Sequence, residues 1–73
     1  MKVKLFKNTR YYLIELSKTL FGEFEVRRIY GNINYKSKTG ERVKYFADKA
    51  LALKDFELFK RQKIRRGYAT KVF

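Results

Sequence analysis

From Arg10 to Leu16 the chain reads RYYLIEL, and its large side chains alternate. Tyr12, Ile14 and Leu16 fall on one parity, and Tyr11, Leu13 and Glu15 on the other. Period-two patterning in aromatic and bulky apolar residues predicts a strand with one face on a core. The preceding KVKLF predicts a short strand joined to it by a turn at KNT. After SKTLFG the alternation resumes, with Phe24, Val26, Arg28 and Tyr30 opposed to Glu25, Arg27 and Ile29. Gly22 and Gly31 bracket this second long strand, where a turn or a close backbone approach requires the missing side chain. NYKSKTG is a polar, basic loop closing at Gly40, and ERVKYF is a third long strand.

From Asp48, a candidate N-cap, the period becomes helical. At 100° per residue Ala52, Leu53, Phe56, Phe59 and Ile64 share an arc of about 140°, the width of a core-facing stripe. Gly67 is placed to end the helix, and Arg65 and Arg66 suit the negative end of its dipole. The last segment, YATKVF, adds an edge strand or packs back over the sheet. These elements predict an α+β fold: a twisted antiparallel β-sheet packed against one long C-terminal α-helix. The expected core is Tyr12, Ile14, Leu16, Phe24, Val26, Leu53, Phe56 and Phe59. Leu51 and Leu58 lie outside that arc and are either covered by the N-terminal arm or belong to a partner surface.

Length makes this core small. Seventy-three residues amount to one domain, spanning 1–73, that buries only about 60–65% of its unfolded surface. Seven Phe and six Tyr compensate, since each ring buries about 150–250 Å². With neither Cys nor His there is no disulfide framework, no thiolate or imidazole metal site, and no usual nucleophile or general base. The seven carboxylates are scattered and no glycine-rich phosphate loop is present, so an enzyme, a cofactor and a small-molecule substrate are not expected. No apolar run approaches the ~18 residues of a membrane span, and the N-terminus lacks the apolar stretch of a secretory signal. The expected location is cytoplasmic, with no membrane partner.

Charge changes the picture most. Nineteen Lys and Arg against seven Asp and Glu give +12, a balance relieved by a polyanion. Nucleic acid is the first candidate, an acidic protein the second and an anionic membrane the third; the plain alternative is a solvated basic surface. Beyond Glu57 come Lys60, Arg61, Lys63, Arg65, Arg66 and Lys71 with no counter-charge. On the helix Lys54, Arg61 and Arg65 fall within about 40° of one another, a stripe able to neutralise phosphates. A second cluster, Arg27, Arg28, Lys36 and Lys38, surrounds the YGNI turn. Tyr30 beside these cations is either a stacking point for sugars and bases or a core-edge tyrosine sharing a face with Phe24 and Val26.

Read in order, the motifs NTRYYLIEL, TLFGEFEVRRIYGNI, KYF, ALKDF and FKRQKIRRGY resemble the WGR domain family, and look most like its small stand-alone bacterial branch. The matches are Asn8, Arg10 to Tyr12, Leu20 to Gly22, Arg28, Gly31, Ile33, Ala52, Phe56, Lys63, Arg66, Gly67 and Tyr68. The signature itself departs: Tyr30 stands for Trp, Asn32 for Arg, and Asn34 for the following Gly. The resemblance implies a twisted sheet with one long helix. In poly(ADP-ribose) polymerases such domains contact DNA near a strand break through the signature Trp and Arg, a role that falls here on Tyr30 and Asn32. Tyr keeps a flat face, whereas Asn loses the charge and the planar fork. The expected function is therefore nucleic-acid binding through basic backbone contacts and aromatic stacking, with DNA ahead of RNA and DNA ends among the targets. The expected site is Arg27, Arg28, Tyr30, Asn32, Lys36, Lys38, Lys54, Arg61 and Arg65, with Gly31 leaving room for a ligand backbone. The alternative is a regulatory adaptor docking an acidic partner.

Overall fold

A computed structural model describes residues 1–70; Lys71, Val72 and Phe73, the end of the YATKVF segment, lie outside the described residues. Five strands, β1 (Lys2–Lys7), β2 (Arg10–Lys18), β3 (Phe24–Asn32), β4 (Gly40–Phe46) and β5 (Ala69–Thr70), surround one helix, α1 (Lys49–Arg65), in the chain. The sheet is antiparallel with spatial order β4-β3-β2-β1-β5, and α1 packs on one face. The expected α+β architecture is present, and the edge-strand reading of the C-terminal segment holds for Ala69 and Thr70, which pair with β1.

Register sets the two faces. Tyr12 pairs with Leu5 and with Tyr30, and Leu16 pairs with Val26. Even positions of β2 and β3 and odd positions of β1 therefore point to one side, because successive side chains alternate. That inner face carries Leu5, Ile14, Leu16 and Val26, all buried against Ala52 and Phe56 of α1 and against Tyr68. Tyr12, Phe24, Leu53 and Phe59 close the margins together with Val3 and Phe46. The eight expected core residues all belong to this cluster. No helix among the described residues is long and apolar enough to cross a membrane.

Local chemistry fixes the ends of the elements. Asn8, at φ +54°, turns the two-residue β1–β2 connection, as a short polar side chain can in the left-handed region. The Thr19 hydroxyl accepts from the backbone N–H of Phe21 and of Glu23, each at 3.3 Å, and this turn leaves Leu20 and Phe21 in solvent. The Asp48 carboxylate accepts from Ala50 N–H at 2.8 Å and caps α1. At the other end Gly67 adopts φ +97°, which a side chain would oppose. Tyr68 N–H then donates to the Lys63 carbonyl at 3.1 Å and Gly67 N–H to that of Ile64 at 3.0 Å. This paired closure is a Schellman motif, and it swings Tyr68 back beneath the last turn.

The structure settles further details of the expected pattern. Ile64 is 46% exposed, and the buried residue of the last turn is Lys63. On the helical wheel Lys63 lies in the middle of the apolar arc, about 100° from Ile64; its charge concealed the geometry. Leu51 and Leu58 are about half exposed, because the N-terminal arm is a sheet strand and covers neither. The second long strand runs through Gly31 to Asn32. On its Cβ side Gly31 is covered by Tyr11, whose hydroxyl would lie 2.8 Å from an added Cβ.

Candidate functional site

Helix α1 covers only part of the inner face. It starts over Phe24 and Leu16 and finishes near Tyr12, leaving the Arg10, Tyr30, Asn32 and Arg42 end of the sheet open. Tyr12 is the floor of that open end. Its ring stacks on Tyr30 at 5.3 Å and 29°, meets Tyr68 edge-on at 5.4 Å and 81°, and tilts against Phe59 at 5.7 Å. Offset and edge-to-face contacts of this kind add about 0.5–1.5 kcal/mol each beyond burial, so the floor is rigid.

Three adjoining hollows share Tyr12. One, of about 400 Å³, runs between Arg10, Tyr30, Asn32, Tyr35 and Tyr68. A second, of about 490 Å³, lies among Lys7, Asn8, Thr9, Arg10, Lys63, Arg66 and Tyr68. The third, of about 260 Å³, is bounded by Arg28, Tyr30, Arg42, Phe59 and Lys63. Together they form one cleft whose walls carry Lys7, Arg10, Arg28, Arg42, Lys63 and Arg66, and among the described residues no carboxylate lines any part of it.

Each cation is placed by the fold. The Lys63 ammonium lies 4.0 Å from the Tyr12 ring centre, 5.2 Å from Phe59 and 5.6 Å from Tyr68. A cage of ring faces attracts a cation and holds it in a confined place. The Arg28 guanidinium sits over Phe59 at 4.4 Å. Lys7 donates to the Arg66 carbonyl at 2.7 Å, closing the negative end of α1. Arg28 stands directly opposite Arg42, and Lys7 opposite Arg10. Like charges facing each other across strands are destabilising, and both pairs face the cleft.

Outside the cleft, Arg27, Lys38 and Lys44 are paired with carboxylates. Arg27 points to the outer face, where Glu25 holds it at 2.8 Å and Glu41 lies at 3.6 Å. The charge of Glu25 and its hydrogen bond, then the charge of Glu41, raise the Arg27 pKa further. Glu41 accepts from Lys38. That hydrogen bond, then the charges of Lys38 and Arg27, hold its carboxyl below the usual range against the opposing effect of desolvation. Asp55 pairs with Lys44 at 3.8 Å.

Of the residues expected from sequence, Arg28, Tyr30 and Asn32 meet in the cleft. Tyr30 sits as a core-edge residue: it packs on Tyr12, and its ring lies across Gly40, where an added Cβ would collide with it. Asn32 donates to the Thr9 hydroxyl at 3.2 Å and accepts from Asn34 N–H at 2.8 Å, so its amide fastens two turns. Arg27 and Lys38 are bound to glutamates away from the cleft. Lys36 is exposed in the β3–β4 loop, and Lys54, Arg61 and Arg65 are exposed on α1. Lys7, Arg10, Tyr12, Arg42, Lys63, Arg66 and Tyr68 were not expected. Parity already set Arg10 and Tyr12 beside Ile14, but the Arg28–Arg42 pairing needs the strand register.

Comparison with known families agrees with this architecture. The WGR domain profile matches residues 2–73, so the chain belongs to the WGR domain family. No curated protein and no solved structure matches it.

Proposed function

Because the chain is a WGR domain, a module generally associated with nucleic-acid binding, we propose that the cleft around Tyr12 binds nucleic acid, and DNA in preference to RNA. The observation that carries the reading is the union of four mutually packed rings, Tyr12, Tyr30, Phe59 and Tyr68, with six cations and no carboxylate among the described lining residues. Phosphates take the cations and release counterions, while a sugar or base takes the open side of Tyr30. The signature position occupied by Tyr30 thus keeps a flat ring beside Arg28. The rings are recessed. Within an intact duplex the base faces are already stacked on one another, so a recessed ring reaches only an unpaired or terminal nucleotide. This favours a strand end or a nick as the preferred target.

Affinity should be measured for intact duplex, nicked duplex, single strand, RNA and an acidic polypeptide. Nicked duplex is expected to bind most tightly; equal affinity for all five would reduce the interaction to net charge. The salt dependence locates the contacts, since log K falls with log salt by about 0.9 per phosphate neutralised. Arg28→Gln with Arg42→Gln is expected to flatten the slope by about two units. Arg61→Gln with Arg65→Gln is expected to leave it unchanged. The opposite pattern would move the binding face onto the helix.

A further inference from the structure

The side of α1 turned away from the sheet carries an organised surface that lies outside the cleft. Leu51, Lys54, Leu58, Arg61 and Arg65 fall within an arc of about 80°. Leu51 is 55% exposed and Leu58 49%, and no described segment of the chain covers either. They are seven residues apart, about 10 Å along the axis, the spacing at which one helix lies along another. Lys54, Arg61 and Arg65 flank them, and none of the three is ion-paired among the described residues. Asp55 is turned toward Lys44, and Glu57 lies at the edge of the arc beyond Arg61.

We propose that this stripe docks an acidic amphipathic helix of a partner protein. Charge complementarity selects the partner: a row of Asp or Glu would meet Lys54, Arg61 and Arg65 while an apolar seam covers Leu51 and Leu58. A phosphate backbone would satisfy the cations but leave the leucines without an apolar neighbour. A second copy of the chain would bring an identical basic stripe and a further +12, which repel. The surface faces away from the cleft, so the partner and a nucleic acid are held at once. The inference does not depend on what the cleft binds.

The test uses the whole protein and a labelled synthetic helix with Leu at every seventh position flanked by Glu. Its comparators are the same peptide with Leu replaced by Ser, polyglutamate, and vesicles of phosphatidylserine in phosphatidylcholine. The leucine peptide is expected to bind at least about tenfold more tightly than the serine peptide or polyglutamate, because only it gains apolar burial. Leu51→Ser with Leu58→Ser is expected to remove that difference while melting temperature and nucleic-acid affinity stay unchanged. Lys54→Glu with Arg61→Glu is expected to abolish peptide binding. No binding of the leucine peptide, equal binding of all three polymers, or an unaltered double-serine variant would overturn the proposal. So would leucine-dependent binding to the vesicles in preference to the peptide, which would make the stripe a membrane surface.

Discussion

Phe56→Ala is expected to remove about 3–5 kcal/mol of stability, the cost of truncating a large buried ring and leaving its cavity. Phe56 is 2% exposed and is the largest fully buried side chain in the core. It lies in the cluster with Leu5, Ile14 and Val26, so no rearrangement of one strand alone can fill the gap. Small proteins hold only about 5–15 kcal/mol in total, and the loss should lower the melting temperature by on the order of 15 °C or more. Ile64→Ala, on the same helix but exposed, is expected to change stability by no more than about 1 kcal/mol. Urea denaturation of both variants checks the pair. Equal losses would mean that α1 is rotated from the described orientation.

Tyr30→Ala is expected to weaken nucleic-acid binding about 5- to 150-fold, the range for removing one stacking ring. The same change removes the stacking on Tyr12 and empties the space over Gly40, so stability must be followed beside affinity. Two further variants separate the roles. Tyr30→Leu keeps apolar bulk without a flat face and is expected to bind nearly as weakly as Tyr30→Ala. Tyr30→Trp, which restores the family residue, is expected to hold or raise affinity. Gly40→Ala keeps the tyrosine but drives its ring from its seat. It should cost about 1–3 kcal/mol of stability as an overpacked contact and lower affinity as well. If Tyr30→Leu bound like the unaltered protein, Tyr30 would be structural only.

The strands, the helix and the core were legible because each rests on a periodicity. Alternation along Phe24 to Tyr30 gives the inner face directly, and Ala52 to Phe59 give the buried side of α1. The cleft was less legible, because it is made by register and by an end effect. Arg28 and Arg42 are fourteen positions apart and meet only because Tyr30 pairs with Gly40 across the loop. Lys63 lies at an apolar position of the wheel, and its placement requires Tyr68, delivered by the Schellman turn at Gly67, as the third wall of its cage. Arg27 neighbours Arg28 in sequence but lies outside the cleft. A one-residue step along a strand reverses the face, and there Glu25 and Glu41 neutralise it.

The glycines show the same division. Gly31 and Gly40 look alike as loop-edge residues, yet each lies opposite a tyrosine on the neighbouring strand, Tyr11 and Tyr30 respectively. One tyrosine covers the outer face and the other helps to build the cleft. Which does which follows from parity, but that a tyrosine lies there at all follows only from the pairing.

The central claim is that nucleic acid enters the cleft around Tyr12, and amide and side-chain chemical-shift mapping during titration with a nicked duplex tests it most directly. The account predicts the largest shifts at Arg10, Tyr12, Arg28, Tyr30, Asn32, Arg42, Lys63 and Tyr68, with Leu51, Leu58 and the outer-face residues Leu13, Arg27 and Val43 undisturbed. Shifts centred on Lys54, Arg61 and Arg65, or on the outer face of the sheet, with the cleft silent, would contradict it.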